Sequence, residues 1–219
     1  MLHERDLGAR WSVRSTAIRD VALCKTFRWI ARRRGLLISL AAAVAVADVL
    51  WGNARPVEFL GASRSRYGVA LWCLALLGVL VRFWAAGNLR KKEEVTRTGI
   101  YRMVRHPLYL GNCLIYLSFF LSFGNLPLGL GLFFLLLIPV HYPTMLQEEA
   151  QLAKDHPGQL AAHRGTPRLI PNLFALREAL STDRFCIHQA LRNRAAGCLL
   201  ALPLLPLGMA LLERVDRYF

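Results

Sequence analysis

Five apolar stretches, near residues 35–51, 67–87, 108–123, 126–146 and 195–212, govern what this chain can fold into. Each approaches the roughly 20 residues that a helix needs to cross a bilayer, and the shorter ones can borrow flanking residues. In lipid, every backbone amide must find its partner within its own segment, so such stretches are helical. The sequence therefore predicts an all-α polytopic membrane protein with about five transmembrane helices. Composition agrees: 55% of the 219 residues are hydrophobic, yet the net charge is +14. A soluble chain is rarely both. Long apolar runs with cationic loops between them reconcile the two facts.

The cations give an orientation. Segment 1–35 carries nine Lys and Arg, loop 88–107 six and loop 147–194 seven, whereas loop 52–66 carries three. Under the positive-inside rule the N-terminus and the two richer loops are cytoplasmic. The membrane explains the basic excess, so no nucleic-acid partner is expected. Residues 1–34 form a basic segment with interspersed Trp11, Ile18, Val21, Phe27 and Ile30. It reads as a helix on an anionic membrane surface or as a solvated basic tail. It is long for a secretory leader, although Ala45-Val46-Ala47 resembles a cleavage site. Residues 35–171 form the core, and 172–219 an interfacial helix followed by a C-terminal transmembrane helix. Arg82 and Asp48, near the ends of their spans, are expected to snorkel to the interface. The five cysteines show no C-x-x-C spacing, and neither a disulfide framework nor a metal site is expected.

The third and fourth stretches are joined only around Gly124-Asn125, with Pro127 next. That predicts a tight helical hairpin. Pro139 and Pro143 are expected to kink its second arm near the end. A short hairpin makes its arms antiparallel neighbours, so the start of one lies beside the end of the other. His106 and Tyr109 should then face Glu148 or Glu149 across helix-packing distance. Polar residues gathered against a membrane are where function is sought. Each has a simpler reading by itself. Arg102 and Arg105 suit positive-inside anchors, Tyr101 and Tyr109 an aromatic belt, and Pro107 a first-turn proline. Glu148-Glu149 suits a solvated helix end, and His141 a packing residue. Those readings leave the convergence unexplained. No H-E-x-x-H, phosphate-binding loop, soluble dinucleotide motif or serine elbow is present.

The motif Gly99-Ile-Tyr101-Arg-x-Val-Arg105-His106-Pro107-Leu-Tyr109-Leu-Gly111, followed by Glu148-Glu149-x-x-Leu152 and Pro167-Arg168-x-x-Pro171, resembles the isoprenylcysteine carboxyl methyltransferase-like family. That group takes in the bacterial phospholipid methyltransferases. The likeness runs over roughly residues 78–171. It implies S-adenosyl-L-methionine bound at the cytoplasmic interface by elements from 88–112 and 141–171. Carried over by position, the cofactor contacts are Glu93, Glu94, Val95, Thr96, Tyr101, His106, Pro107, Leu108, Tyr109, Glu148 and Glu149. The implied catalytic residues are Arg105, His106 and Glu149, and the implied acceptor contacts are Arg102, His141 and Arg164. Carboxylates and tyrosine faces suit a sulfonium that also carries an ammonium. No metal is called for.

Three positions depart from the family pattern. Leu160 and His163 stand where tyrosines are usual. Thr144 stands where the isoprenylcysteine enzymes carry an arginine. The expected activity is methyl transfer to a lipophilic small molecule or lipid in a membrane, such as a bacterial inner membrane. Carboxyl methylation is placed first and amine methylation of a phospholipid second. A non-catalytic lipid-binding scaffold is third.

Overall fold

A computed structural model describes residues 29, 32–57, 66–90, 95–156, 165–180, 185–193, 197 and 204–216. The helices are α1 Arg34–Leu50, α2 Arg66–Asn88, α3 Pro107–Leu121, α4 Leu126–Leu136, α5 Tyr142–Asp155, α6 Leu176–Ala179, α7 Ile187–Arg192 and α8 Leu204–Asp216. Among the described residues there is no strand. A π-helical turn, Leu137–His141, joins α4 and α5 into one helix of 30 residues. That helix and the 23-residue α2 are long and apolar enough to cross a membrane, while α3 is a shorter apolar helix of 15 residues. The apolar run 195–212 is represented by α8 from Leu204 onward. Most of the basic segment 1–34 lies outside the described residues, as do Glu93, Glu94, Leu160, His163 and Arg164.

Small residues bring α2 and α3 together. A Cβ added at Gly78 would stand 2.8 Å from the carbonyl oxygen of Gly111, so only glycine permits this backbone approach. Across the same pair the Ser118 hydroxyl donates to the Leu71 carbonyl at 2.7 Å. Arg82 does not simply reach outward. Its guanidinium donates to the Leu108 carbonyl at 3.3 Å and to the Asn112 side chain, so it ties α2 to the first two turns of α3. An inter-helix bond satisfies a guanidinium that an apolar surround would otherwise leave desolvated.

On the other side, Ala41, Ala45 and Val49 of α1 share a core with Leu132, Phe133, Leu136 and Val140, with Phe120 of α3 and with Phe123 just beyond it. The hairpin turns at Gly124, whose φ of +85° is left-handed. Asn125 caps α4 by accepting from the Leu128 amide at 3.1 Å. Its amide nitrogen donates to Asp48 at 2.9 Å, so Asp48 is bonded to the turn. At the far end of the hairpin, Pro139 cannot donate to the preceding turn. The helix widens there into the π turn and continues, with Pro143 in the first turn of α5. The antiparallel arms thus set the start of α3 beside α5.

The segment after α5 returns to that same end. The Gln189 side chain donates to the Leu89 carbonyl at 2.9 Å, and Asn193 donates to the Ala86 and Leu89 carbonyls at 2.8 and 3.1 Å. These bonds satisfy carbonyls orphaned at the C-terminal end of α2.

Candidate active site

The site begins with a turn that only glycine opens easily. Gly99 has φ +57°, and a Cβ there would lie 2.7 Å from the Asn88 side chain. A 3-10 turn, Gly99–Arg102, follows and buries Ile100 and Tyr101 against Ala85 and Val104. The chain then reaches Arg105 and His106, and Pro107 occupies the first turn of α3. Alongside runs the segment from Thr166 to Asn172. The Arg105 amide donates to the Pro167 carbonyl at 2.7 Å, and the His106 amide to the Arg168 carbonyl at 3.1 Å. The Asn172 amide donates to the Met103 carbonyl at 2.8 Å.

Three cationic or imidazole groups meet on one carboxylate. Glu149, only 3% exposed, accepts from Arg105 at 2.9 Å and from Arg168 at 3.0 Å, and its Oε1 lies 3.1 Å from His106 Nε2. Arg168 also donates through Nε, at 3.1 and 3.2 Å to the two oxygens, so its fork grips the carboxylate on both. The second amino group of Arg105 donates to the Thr166 carbonyl at 2.9 Å. Burial pushes the Glu149 carboxyl up, but bonds and charge from His106 and Arg168 outweigh it and hold the group down at about 2. The same pairing raises Arg168.

Glu148 faces a different environment. It is exposed and accepts from the Tyr109 hydroxyl at 2.7 Å. Among the described residues it makes no ion pair. Tyr101 is held well above its usual range, first by burial and then by the charge of Glu148 nearby. From Tyr109 the rings continue inward. Its ring meets His106 edge-on at 5.8 Å and His141 edge-on at 5.8 Å, and His141 stacks on Tyr116 at 5.4 Å. His141 is buried, and its Nε2 has no hydrogen-bond partner among the described residues. The hairpin has therefore gathered Arg105, His106, Pro107, Tyr109, His141, Glu148 and Glu149 at one end of the bundle, with Tyr101 and the partly buried Leu108 beside them.

Other candidates fall elsewhere. Val95 and Thr96 are buried on the approach to the turn, where the Thr96 hydroxyl accepts from the Arg90 amide at 3.1 Å. Arg102 turns to the surface and pairs with Glu178 of α6 at 2.8 Å. Thr144 bonds back to the Val140 carbonyl at 2.6 Å within its own helix. Arg168 was recognisable only as part of the Pro167-Arg168-x-x-Pro171 motif. Nothing in its spacing says that it shares a carboxylate with residues sixty positions earlier. Among the described residues no group of three or more His, Cys, Asp or Glu could hold a metal ion.

Comparison with known proteins adds one positive result. Neither a curated protein nor a solved structure gives a match. The family model described as phospholipid methyltransferase matches residues 65–156, a stretch that covers α2, the Gly99 turn, the hairpin and the Glu148-Glu149 pair. The matched stretch, 65–156, takes in every charged partner of the Glu149 cluster except Arg168.

Proposed function

We infer that this protein transfers a methyl group from S-adenosyl-L-methionine to the amine head group of a membrane phospholipid. The single observation carrying this reading is the pairing of Tyr109 with the exposed Glu148 beside the Glu149 cluster, at the end of apolar helices in a phospholipid methyltransferase-family domain. The carboxyl acceptor that the motif alone puts first yields to a lipid amine because the matching family is described by phospholipids. The chain is read as crossing the membrane with its N-terminus and site cytoplasmic, which puts the site level with lipid head groups.

The residues fit the cofactor. Glu148, which makes no ion pair among the described residues, offers its carboxylate to an ammonium, and the faces of Tyr109 and Tyr116 suit a sulfonium. When bound, the cofactor supplies an electrophilic methyl group. A protonated amine must lose a proton before its lone pair can attack, and the buried Nε2 of His141, without a hydrogen-bond partner among the described residues, is the acceptor we assign. Glu149 is saturated by its three partners, so its part is to hold Arg105 and His106 in place. Holding acceptor and methyl in line contributes most to such a displacement.

The test uses purified membranes, labelled cofactor and a mixed lipid extract. The expected result is base-stable label in the phospholipid fraction, lost in H141Q. Base-labile label would instead indicate a methyl ester. No thermal stabilisation by the cofactor, and no incorporated label, would favour the non-catalytic scaffold.

A further inference from the structure

Arg168 belongs to a segment beyond the family-matched residues, yet it supplies the most extensive grip on the buried carboxylate of the site. Its own backbone carbonyl accepts from the His106 amide, and that of the preceding Pro167 accepts from the Arg105 amide. Two residues of the segment thus engage two residues of the motif through the main chain, while the Arg168 side chain reaches Glu149 on α5. The Arg105 side chain completes the circuit by bonding both Glu149 and the Thr166 carbonyl. Three separate parts of the chain close on one carboxylate: the start of α3, the end of the hairpin's second arm, and the returning segment. The hairpin connection near Gly124 lies at the opposite end of α3 and cannot fix this end by itself.

We propose that Arg168 is a positioning residue. It acts through Glu149 to set where Arg105, His106 and the first turn of α3 stand, so a segment outside the family-matched domain completes the site. This rests on the methyl-transfer reading for what the site binds, but not for how it is held. Arg168 has a side chain 36% exposed, and its partner is 4% exposed. Its charge is spent inward on a buried anion although its side chain is partly exposed, which a surface anchor would not require. A lysine there would keep the charge and lose the two-point fork.

The test compares wild type, R168A, R168K, E149Q and the R168A/E149Q double variant of the full chain in detergent. The first readout needs no cofactor: amide hydrogen exchange at Arg105 and His106, whose protons are bonded to the segment. Faster exchange in R168A, with slower exchange regained in R168K, is expected. The second is cofactor affinity by calorimetry. R168A should bind about tenfold more weakly, as expected for losing hydrogen bonds to a charged group. R168K should recover part of that loss. Adding R168A to E149Q should cost nothing further, because both act on one contact. The third is the pH dependence of cofactor-induced stabilisation. Glu149 faces Arg105 and His106 from the start of α3 and Arg168 from the returning segment, with Glu148 and Tyr142 on its own helix. Removing Arg168 should move the acid limb to higher pH. Independent, multiplying effects of R168A and E149Q would overturn the proposal, as would unchanged exchange and affinity in R168A, or R168K no better than R168A. If wild type shows no cofactor binding, the functional reading fails, and the exchange comparison still decides the positioning role.

Discussion

The two ends of the α3–α4 hairpin are held in different ways. At the closed end the chain itself joins the helices, and the work left to side chains is small. Gly124 supplies a left-handed turn, Asn125 caps α4, and Phe120 and Phe123 pack into the apolar core. At the open end no covalent link exists, and the helices are held by a buried carboxylate shared among two arginines and a histidine. Burying a charge is costly unless every partner is in place. An apolar contact would join the helices at less risk. A charged knot therefore marks the end where geometry must be specified in direction as well as distance, and the family-matched motif lies there.

The comparison can be broken most severely at Glu149. Replacement by Ala leaves Arg105, Arg168 and His106 facing each other without an anion, and should lower stability by about 3–5 kcal/mol in detergent, read as thermal unfolding. Cofactor binding should be lost with it. Acid should have a related effect that is reversible. The Glu149 carboxyl lies below its unfolded value of 4.5, at about 2. Its contribution is complete above pH 4.5 and disappears as the pH falls toward 2, an effect of about 3 kcal/mol. A stability profile flat over that window in wild type would contradict this assignment. At the closed end, G124A forces an L-residue into left-handed backbone and drives a methyl toward the Arg55 backbone. A loss of about 2 kcal/mol is expected, with the acid dependence unchanged because the ionic end is untouched. The smallest effect belongs to the exposed Arg102–Glu178 pair, with side chains 45% and 66% exposed. Exchanging both for Ala should change stability by less than about 1 kcal/mol. A larger loss would mean that α6 braces the motif through this pair.

Much of the candidate site is legible in the sequence. The short Gly124-Asn125 connection forces antiparallel neighbours, and from that alone His106 and Tyr109 are expected opposite Glu148 or Glu149. The structure resolves the "or": His106 with Glu149, Tyr109 with Glu148. Consecutive residues on a helix point about 100° apart, so one glutamate can be buried and the next exposed. Spacing alone does not say which. Arg82 was harder, since an arginine near a span end snorkels or bonds inward according to what neighbours it. Asn112 on α3 is that neighbour.

By itself, the sequence determined the helical class, the apolar runs, the hairpin and the pairing of its polar ends. These follow from local rules: amides in lipid must be bonded within a segment, and a short turn cannot separate two helices. Tertiary structure alone decided that the segment around Arg168 returns to the motif, that Glu149 is enclosed while Glu148 stays exposed, and that Pro139 is absorbed in a π turn. Such outcomes depend on contacts between residues far apart in the chain. Loop 147–194 has no periodicity strong enough to fix its path, so where Arg168 lands is settled only when the buried carboxylate finds its third partner.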